Sequence, residues 1–437
     1  MRAVLSTTIT RNLVFGSWNK SYLNSTSLAK FSTNATKDNV IYLTGATGFI
    51  GEEIKKGVSG LQRFNKQFGS SHKASFMEPS ARIPDDVNRV IFNAYDLSFL
   101  NPLPQVLKEN VKPIMNMMDQ CHSLPNLDGI SVVSSAFVQQ PLPFKRDPKN
   151  HIEFILKDAG YTATDIYNQL VPKSGQSNSS EDAADASQEA DYDHMLPEHY
   201  KFNKYATSKH ILEHLVHENY PDFPICIVRP SVVIPSRDGT HGHGIRAGYS
   251  FFLAMASQPI FRFPENKFHF DNVFVEDVAK DILDGALEHA APAAENPKTG
   301  THYHPILCSS AGSSLDEKTT MIDLFRRMAP QVHRYDIRNR HVRSTLRTLE
   351  YYALRLFADK RSAGTLHKMY QSYDPIFEQN WDFEPRLTDS RNEEVLDQAM
   401  ANFYSHERKM RAEEKESQEE QCNVAVGTPA AINMDSK

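Results

Sequence analysis

Length and composition indicate a globular protein of one large domain or two of ordinary size. The chain has 437 residues, 40% hydrophobic and 23% charged, and its formal net charge of −6 argues against a surface that binds polyanions throughout. Its apolar runs are shorter than the roughly 20 residues that cross a bilayer. Cys121, Cys226, Cys308 and Cys422 are far apart, which argues against a disulfide framework and a cysteine zinc site and fits a reducing compartment.

The first 37 residues have the composition of a mitochondrial transit peptide. They are rich in Ser, Thr and Asn, and the first acidic residue of the chain is Asp38. Their basic residues are Arg2, Arg11, Lys20, Lys30 and Lys37. A leader spanning 1–37 is expected to carry no core residues and to direct the protein to the mitochondrial matrix or inner-membrane surface. A disordered polar tail is the alternative.

The following segments alternate between strand and helix patterns. VIYLTGATGFIGEEIKKGV (40–58) predicts a strand, a glycine turn and a helix. Buried parallel strands are predicted at 88–94, 129–138 and 223–235, with a helix at 102–121. This alternation predicts an α/β fold with a doubly wound parallel sheet covered by helices on both faces.

The glycine turn is the strongest single motif. Gly45, Gly48 and Gly51 are spaced G-x-x-G-x-x-G between a strand and a helix. The first allows a tight turn, the second a close approach of the backbone to a pyrophosphate, and the third close packing of the helix on the sheet. The helix N-terminus adds its positive dipole. The predicted cofactor-binding residues of this motif are Gly45, Thr47, Gly48, Phe49, Ile50 and Gly51. A glycine turn without a ligand is the alternative.

Polar residues follow the later strands. Asn93 and Ala94 end one strand, where small residues can line the adenine and ribose side of a dinucleotide. Ser134 and Ser135 end the next strand, at the edge where open α/β sheets bind ligands. We therefore predict a ligand at this edge of the sheet.

Tyr205 and Lys209 lie four residues apart on a predicted helix, so their side chains point the same way. Alone, this spacing is common by chance. A hydride that arrives at a carbonyl carbon leaves charge on oxygen, which a tyrosine can protonate. A nearby ammonium is expected to lower the tyrosine pKa and to hydrogen-bond the nicotinamide ribose. Tyr205 and Lys209 are therefore predicted as catalytic residues, with Lys209 also binding the cofactor.

The order of glycine turn, serine at a strand end, Tyr-x-x-x-Lys and Arg-Pro strand resembles an extended short-chain dehydrogenase/reductase of the Rossmann type. TGATGFIG, VVSSAFV, YATSK, IVRPSVV and the distal HKMYQSYDPIFEQNWDFEPR are similar to fatty acyl-CoA reductases over most of residues 40–395. The resemblance implies NADPH-dependent reduction of a long-chain fatty acyl-CoA to an alcohol or aldehyde, a step of lipid metabolism. It also implies that Ser135, which precedes Ala136, orients the carbonyl, and that Pro230 and Val232 contact the cofactor.

One part of the chain departs from this resemblance. The family has a second strand that ends in a basic residue for the NADPH phosphate, whereas residues 59–86 contain no convincing strand. A non-catalytic NAD(P)-binding or assembly protein of mitochondria is therefore one alternative. A second alternative is another extended reductase or an epimerase. The Trp381-Asp382-Phe383 segment argues against this alternative.

Residues 326–361 are rich in arginine, with ten Lys or Arg against three acidic residues. Aromatic and apolar residues lie between them, which is typical of a surface for anionic lipid or for the phosphates of coenzyme A. A solvated helix face is the alternative, and no nucleic-acid partner is expected.

From these motifs we predict that the chain is divided into four regions. They are the leader 1–37, an NAD(P)-binding reductase domain 38–310 with a disordered insertion at 173–193, a mainly helical domain 311–400, and a charged, largely disordered tail 401–437.

Overall fold

The centre of the protein is a six-stranded sheet in the order β1-β2-β3-β4-β5-β10. The computed structural model describes residues 26–32, 38–59, 82–95, 101–138, 162–171, 204–240, 271–295, 302–310 and helical residues between 394 and 416. The strands are β1 (Thr26–Ser32), β2 (Asp38–Thr44), β3 (Arg89–Phe92), β4 (Gly129–Val133), β5 (Ile225–Pro230), β6 (Val232–Ile234), β7 (Asn272–Phe274), β8 (Ala294–Glu295), β9 (His302–Tyr303) and β10 (Ile306–Ser309).

Helices cover both faces of this sheet. They are α1 (Phe49–Ser59), α2 (Leu103–Val106), α3 (Lys112–Cys121), α4 (Ala163–Leu170), α5 (Lys204–Asn219) and α6 (Val275–Asp284), with π-helical turns at Leu107–Val111 and Gly285–His289. None of the helices in the described ranges is long and apolar enough to cross a membrane.

Within the six-stranded sheet, neighbouring strands in the order β2-β3-β4-β5-β10 pair in parallel. Val90 lies opposite Ile130, and Ile130 lies opposite Ile225. One core cluster joins the sheet to α2, α3 and α5, and it contains Ile114 and Leu215. A second cluster on the other face joins the sheet to α1 and α6. Burial on both faces explains why these strands read as continuous apolar runs, and it confirms the predicted doubly wound α/β fold.

Two predicted strands end earlier than expected. The strand predicted at 129–138 ends at Val133, and a 3-10 turn follows at Ala136–Val138. The run at 223–235 divides into β5 and β6, and β6 pairs with β7 in a separate sheet. The backbone N–H of Ser231 still donates to Ser309, whereas the next N–H, from Val232, donates to Asp271. The chain therefore changes partners between Ser231 and Val232.

The N-terminal edge of the sheet differs from the prediction. Strand β1 lies antiparallel to β2, with Thr26 opposite Thr44 and Ser32 opposite Asp38. Residues 26–32 belong to the segment predicted as a leader without core residues. Seven residues of that segment therefore form part of the sheet, and the mixed polar composition of TSLAKFS concealed the strand.

The C-terminal boundary also needs correction. Residues 394–399 and 401–403 are helical, and Leu396, Ala399 and Phe403 are buried at helical spacing. The side chain of Asn402 donates to the carbonyl of Arg237 at 3.2 Å. Helical residues thus lie on both sides of the predicted domain limit at 400. The insertion 173–193 and the stretches 326–361 and 367–386 lie outside the described residues.

Candidate active site

The glycine turn has the geometry that its spacing predicts. Gly45 has a φ of 70°, in the left-handed region that favours glycine. The N–H of Gly48 donates to the carbonyl of Gly45 at 3.0 Å. A Cβ on Gly51 would lie 2.0 Å from that carbonyl oxygen, so only glycine fits where α1 packs on the turn. The turn lies directly before the N-terminus of α1 at Phe49, and this arrangement fits the pyrophosphate of a dinucleotide.

Residues at the end of β3 support this turn. The backbone N–H groups of Asn93 and Ala94 donate to Thr44 Oγ1 at 3.0 and 3.1 Å. The side-chain amide of Asn93 donates to the Gly45 carbonyl at 3.3 Å. A Cβ on Gly45 would lie 2.8 Å from Ala94 Cα. Asn93 therefore shapes the turn, and its predicted contact with adenine or ribose stays a prediction.

The predicted catalytic residues lie at one edge of the sheet. Lys209 is 2% exposed, and its Nζ donates to the carbonyl oxygen of Val133, the last residue of β4, at 2.6 Å. This bond joins α5, which carries Tyr205, to the strand end that leads into Ser134 and Ser135. The fold thus brings together residues that are about 70 positions apart in the chain.

The two serines differ in their hydrogen bonds, although both are buried. Ser135 Oγ accepts from the backbone N–H of Phe137 at 3.3 Å. Ser134 Oγ makes no hydrogen bond within the described part of the chain, and its backbone N–H donates to the Val228 carbonyl at 2.7 Å. The hydroxyl of Ser135 retains its proton for a further acceptor, as the predicted role in orienting a carbonyl requires.

The pKa values of Tyr205 and Lys209 depart from one expectation. Burial raises the pKa of Tyr205 above its usual value, and no lowering by Lys209 offsets it. The Lys209 Nζ is 5.9 Å from the centroid of the Tyr205 ring. Burial also lowers the pKa of Lys209 to about 7, against an opposing effect of Glu213. The prediction of a lowered Tyr205 pKa was therefore wrong, because loss of solvent at the buried phenol raises it.

Sequence analysis missed Tyr95, which contacts both members of the pair. The Lys209 Nζ lies 3.6 Å from the centroid of the Tyr95 ring. The Tyr95 and Tyr205 rings meet edge to face, with centroids 5.5 Å apart. The Tyr95 hydroxyl donates to Ser208 Oγ at 2.6 Å. The available signal was a large aromatic residue directly after Asn93-Ala94, where small residues were expected.

A buried ion pair lies one helical turn beyond Lys209. Arg229, at the end of β5, donates to both carboxylate oxygens of Glu213 on α5, with distances of 2.5 to 3.2 Å. Their side chains are 3% and 0% exposed. Arg229 therefore fixes the carboxylate that faces Lys209, a role that the Arg-Pro motif did not predict.

Pro230 and Val232, the remaining predicted cofactor residues, flank the point where the chain passes from β5 to β6. Pro230 is buried and Val232 is partly exposed. Pro230 is the last residue of β5, the strand next to β4, and Val232 is the first residue of β6. Among the described residues, no group of three or more His, Cys, Asp or Glu is placed to hold a metal ion.

Comparisons with known proteins bear on the family of the chain. Residues 78–282 match the family model of NAD-binding domains described as male sterility protein. A curated Drosophila melanogaster protein, named as a candidate fatty acyl-CoA reductase, is 25% identical over 250 residues. That alignment covers 44% of this chain and 43% of the relative, so this chain spans less than half of the relative's length.

Two solved structures are also similar. The terminal R domain of the myxalamid PKS-NRPS pathway is 14% identical, with a TM-score of 0.49, and the match covers 93% of this chain and 98% of that one. The thiolation-reductase di-domain of an archaeal non-ribosomal peptide synthetase is 14% identical, with a TM-score of 0.47, and the match covers 93% and 83%. The fold assignment rests on the sheet order of this chain and not on these neighbours.

Proposed function

We propose that the chain belongs to the fatty acyl-CoA reductase family of extended short-chain dehydrogenases/reductases, which the match of residues 78–282 supports, and that it uses NADPH to reduce the thioester of a long-chain fatty acyl-CoA. The family makes the protein an oxidoreductase with a nicotinamide cofactor. The acyl-CoA substrate, the preference for NADPH and the fatty alcohol or aldehyde product are the proposal.

The observation that carries the proposal is the hydrogen bond between Lys209 and the end of β4. Lys209 is bonded to the end of β4, Ser135 follows that end, and Tyr205 lies one turn before Lys209 on α5. A scaffold that only bound a nucleotide would have no need for a proton donor, a cation and a hydroxyl together. This set therefore supports a reductase over a non-catalytic protein.

Each of these residues has a role that its chemistry supports. The bound nicotinamide, in its reduced form, would supply the hydride. Ser135 would hydrogen-bond the thioester oxygen and hold the carbonyl in place. Tyr205 would donate its proton to that oxygen as charge develops there. Loss of the thiol group from the resulting carbon then releases coenzyme A and leaves the aldehyde.

A second candidate is an NAD(P)-binding or assembly protein without catalysis, and one observation favours it. In the described part of the chain, β2 is flanked by β3 and by the antiparallel β1, where this fold commonly has a further parallel strand on the adenosine side. Arg82, one of the basic residues available for an NADPH phosphate, is paired with Asp85 at 2.6 Å. The proposed preference for NADPH is thus supported by the family resemblance alone.

Location and partners are also proposals. The basic, acid-poor composition of residues 1–37 supports mitochondrial import. The arginine-rich segment 326–361 supports contact with anionic lipid or with the phosphates of acyl-CoA. Binding of the protein to vesicles that contain cardiolipin, and its loss at high salt, would test the lipid contact. Salt-independent binding, or none, would exclude it.

The proposed function is tested with the purified protein and palmitoyl-CoA. We expect NADPH to bind, and its oxidation to require the acyl-CoA. NADH in place of NADPH tests the cofactor preference. Cofactor binding without oxidation across acyl-CoA chain lengths would instead support the non-catalytic candidate.

A further inference from the structure

We propose that Tyr95 is a positioning residue, whose ring face holds the Lys209 ammonium in place and keeps it charged within the site. The inference rests on the proposed reductase function for its catalytic meaning, whereas the contact itself is independent of that function. Tyr95 lies three residues after the end of β3, on a different element from the pair that it contacts.

The ring of Tyr95 is fixed from three directions. Its hydroxyl donates to Ser208 Oγ at 2.6 Å, and Ser208 in turn donates to the carbonyl of Tyr205 at 2.7 Å. Its face lies 3.6 Å from Lys209 Nζ, and it meets the Tyr205 ring at an interplanar angle of 89°. The Ser208 bond fixes the hydroxyl end of the ring, and the edge-to-face contact with Tyr205 fixes the plane of its face.

The need for such a contact follows from the burial of Lys209. An ammonium that is 2% exposed has lost most of its hydration. One hydrogen bond, to the Val133 carbonyl, replaces part of it. Glu213 favours the charged form, but that carboxylate is already paired with Arg229. The negative face of an aromatic ring is a further stabilising group, and cation–π contacts gain strength when water is excluded.

The contact also bears on Tyr205. The ring of Tyr95 holds the ammonium near Tyr205 on the side of β3, while the Val133 carbonyl holds it on the side of β4. A charged Lys209 would favour the phenolate that forms when Tyr205 gives up its proton. Tyr95 therefore acts on Tyr205 through Lys209 and does not need to touch the substrate.

The pKa of Lys209 is the direct test, and it requires no turnover. Lysine labelled with 13C at Cε reports the pKa of each ammonium by NMR, and Lys209→Met identifies the resonance. Three variants separate the contributions of Tyr95. Tyr95→Phe keeps the ring and removes the hydroxyl, Tyr95→Leu removes the ring, and Tyr95→3,4,5-trifluorophenylalanine keeps the shape while withdrawing electrons from the face.

We expect Tyr95→Phe to leave the Lys209 pKa close to that of the wild type. Tyr95→Leu should lower it by about 1, the size of a desolvated cation–π contact. The trifluorinated ring should lower it in the same direction, which keeps the test valid if the leucine variant does not fold. In turnover assays, the alkaline limb of the rate profile should move to lower pH with the same two variants.

An unchanged Lys209 pKa in the trifluorinated variant would overturn the inference. So would a fall of the Lys209 pKa in Tyr95→Phe as large as that in the trifluorinated variant, because it would assign the effect to the hydroxyl. Ser208→Ala, which removes the same hydroxyl bond from the other side, should match Tyr95→Phe. If the wild type proves inactive but the ring still sets the Lys209 pKa, the proposed function fails and the positioning role stands.

Discussion

Lys209 is surrounded by groups that act on its charge in opposite directions. Burial lowers its pKa to about 7, whereas Glu213 and the face of Tyr95 favour the ammonium. Near neutral pH, small changes in this environment therefore alter the fraction of Lys209 that is charged. The same burial raises the pKa of Tyr205, so Tyr205 enters the reaction protonated, as a proton donor must.

Tyr205→Phe should lose at least about 10²-fold in turnover, because it removes only the proton donor. Cofactor affinity and the unfolding temperature should stay near those of the wild type. Steady-state kinetics with a fluorescence titration of NADPH measure both quantities. Tyr167→Phe, on α4, is the matched control and should keep full activity; a wild-type rate for Tyr205→Phe would remove the catalytic role.

For single residues, the sequence predicts which positions matter better than it predicts their contacts. Gly45 and Gly51 occupy positions that need glycine, as the spacing of the motif predicts. The bond from Lys209 to the end of β4 was not predicted. Tyr95 was missed because its contacts with Lys209 and Ser208 join parts of the chain more than 100 residues apart. No local pattern records such a contact.

Helix α5 carries a row of buried polar residues that ties it to the sheet. Glu213 is paired with Arg229, and His217 stacks on His304 with ring centroids 5.3 Å apart. The backbone N–H of His304 donates to His217 Nδ1 at 3.1 Å. These groups fix the position of the helix and therefore of Lys209.

Arg229→Met should destabilise the protein by about 3–5 kcal/mol, because it leaves the Glu213 carboxylate buried and unpaired. The double variant Arg229→Met with Glu213→Leu should recover much of the lost free energy of unfolding. Urea unfolding measures the free energies. Arg82→Met, in the exposed Arg82–Asp85 pair, is the control and should change stability by less than about 1 kcal/mol. Equal effects of the two single variants would refute the role of burial.

Acid should destabilise the fold through the histidine stack. Burial, and then the charges of His304, His214 and Arg229, hold the pKa of His217 well below its usual value. Below about pH 6.5 the unfolded chain therefore binds a proton that the folded chain does not, and stability is lost as the pH falls toward the folded pKa. His217→Asn, which keeps an acceptor for His304, should reduce the pH slope of the unfolding free energy.

The exposed His289→Asn is the control for this slope and should leave it as in the wild type. A slope that His217→Asn does not change would place the acid sensitivity elsewhere.

Strand and helix order was predictable because parallel strands are apolar on both faces and the glycine turn marks β2. The ends of β4 and β5 were not predictable, because apolar residues continue into the 3-10 turn after β4 and into β6 after β5. Strand β1 was hidden for a different reason. An edge strand is stabilised by backbone pairing with β2, and its side chains need not follow an apolar pattern.

At the scale of the whole molecule, residues 26–32 belong both to the proposed leader and to the edge strand β1. Removal of residues 1–37 would delete β1 and expose the edge of β2, whereas retention of residues 26–32 keeps the sheet at six strands. The proposed import into mitochondria therefore bears on the fold.

The protein that begins at residue 38 should be less stable than the one that begins at residue 26. It loses the backbone hydrogen bonds of β1, and we expect a cost of at least about 1 kcal/mol. Thermal unfolding of the two forms measures the difference. Identical midpoints would show that β1 adds nothing to the sheet and that the leader can be removed without cost.

The most direct test of the account follows the hydride. NADPH that carries deuterium at the transferred position, incubated with the protein and palmitoyl-CoA, should yield an aldehyde or alcohol labelled at C1, together with free coenzyme A. Mass spectrometry of the lipid product detects the label, and Tyr205→Phe should reduce it in proportion to turnover. Tight binding of NADPH with no label at C1 would contradict the account and leave a nucleotide-binding protein on a reductase fold.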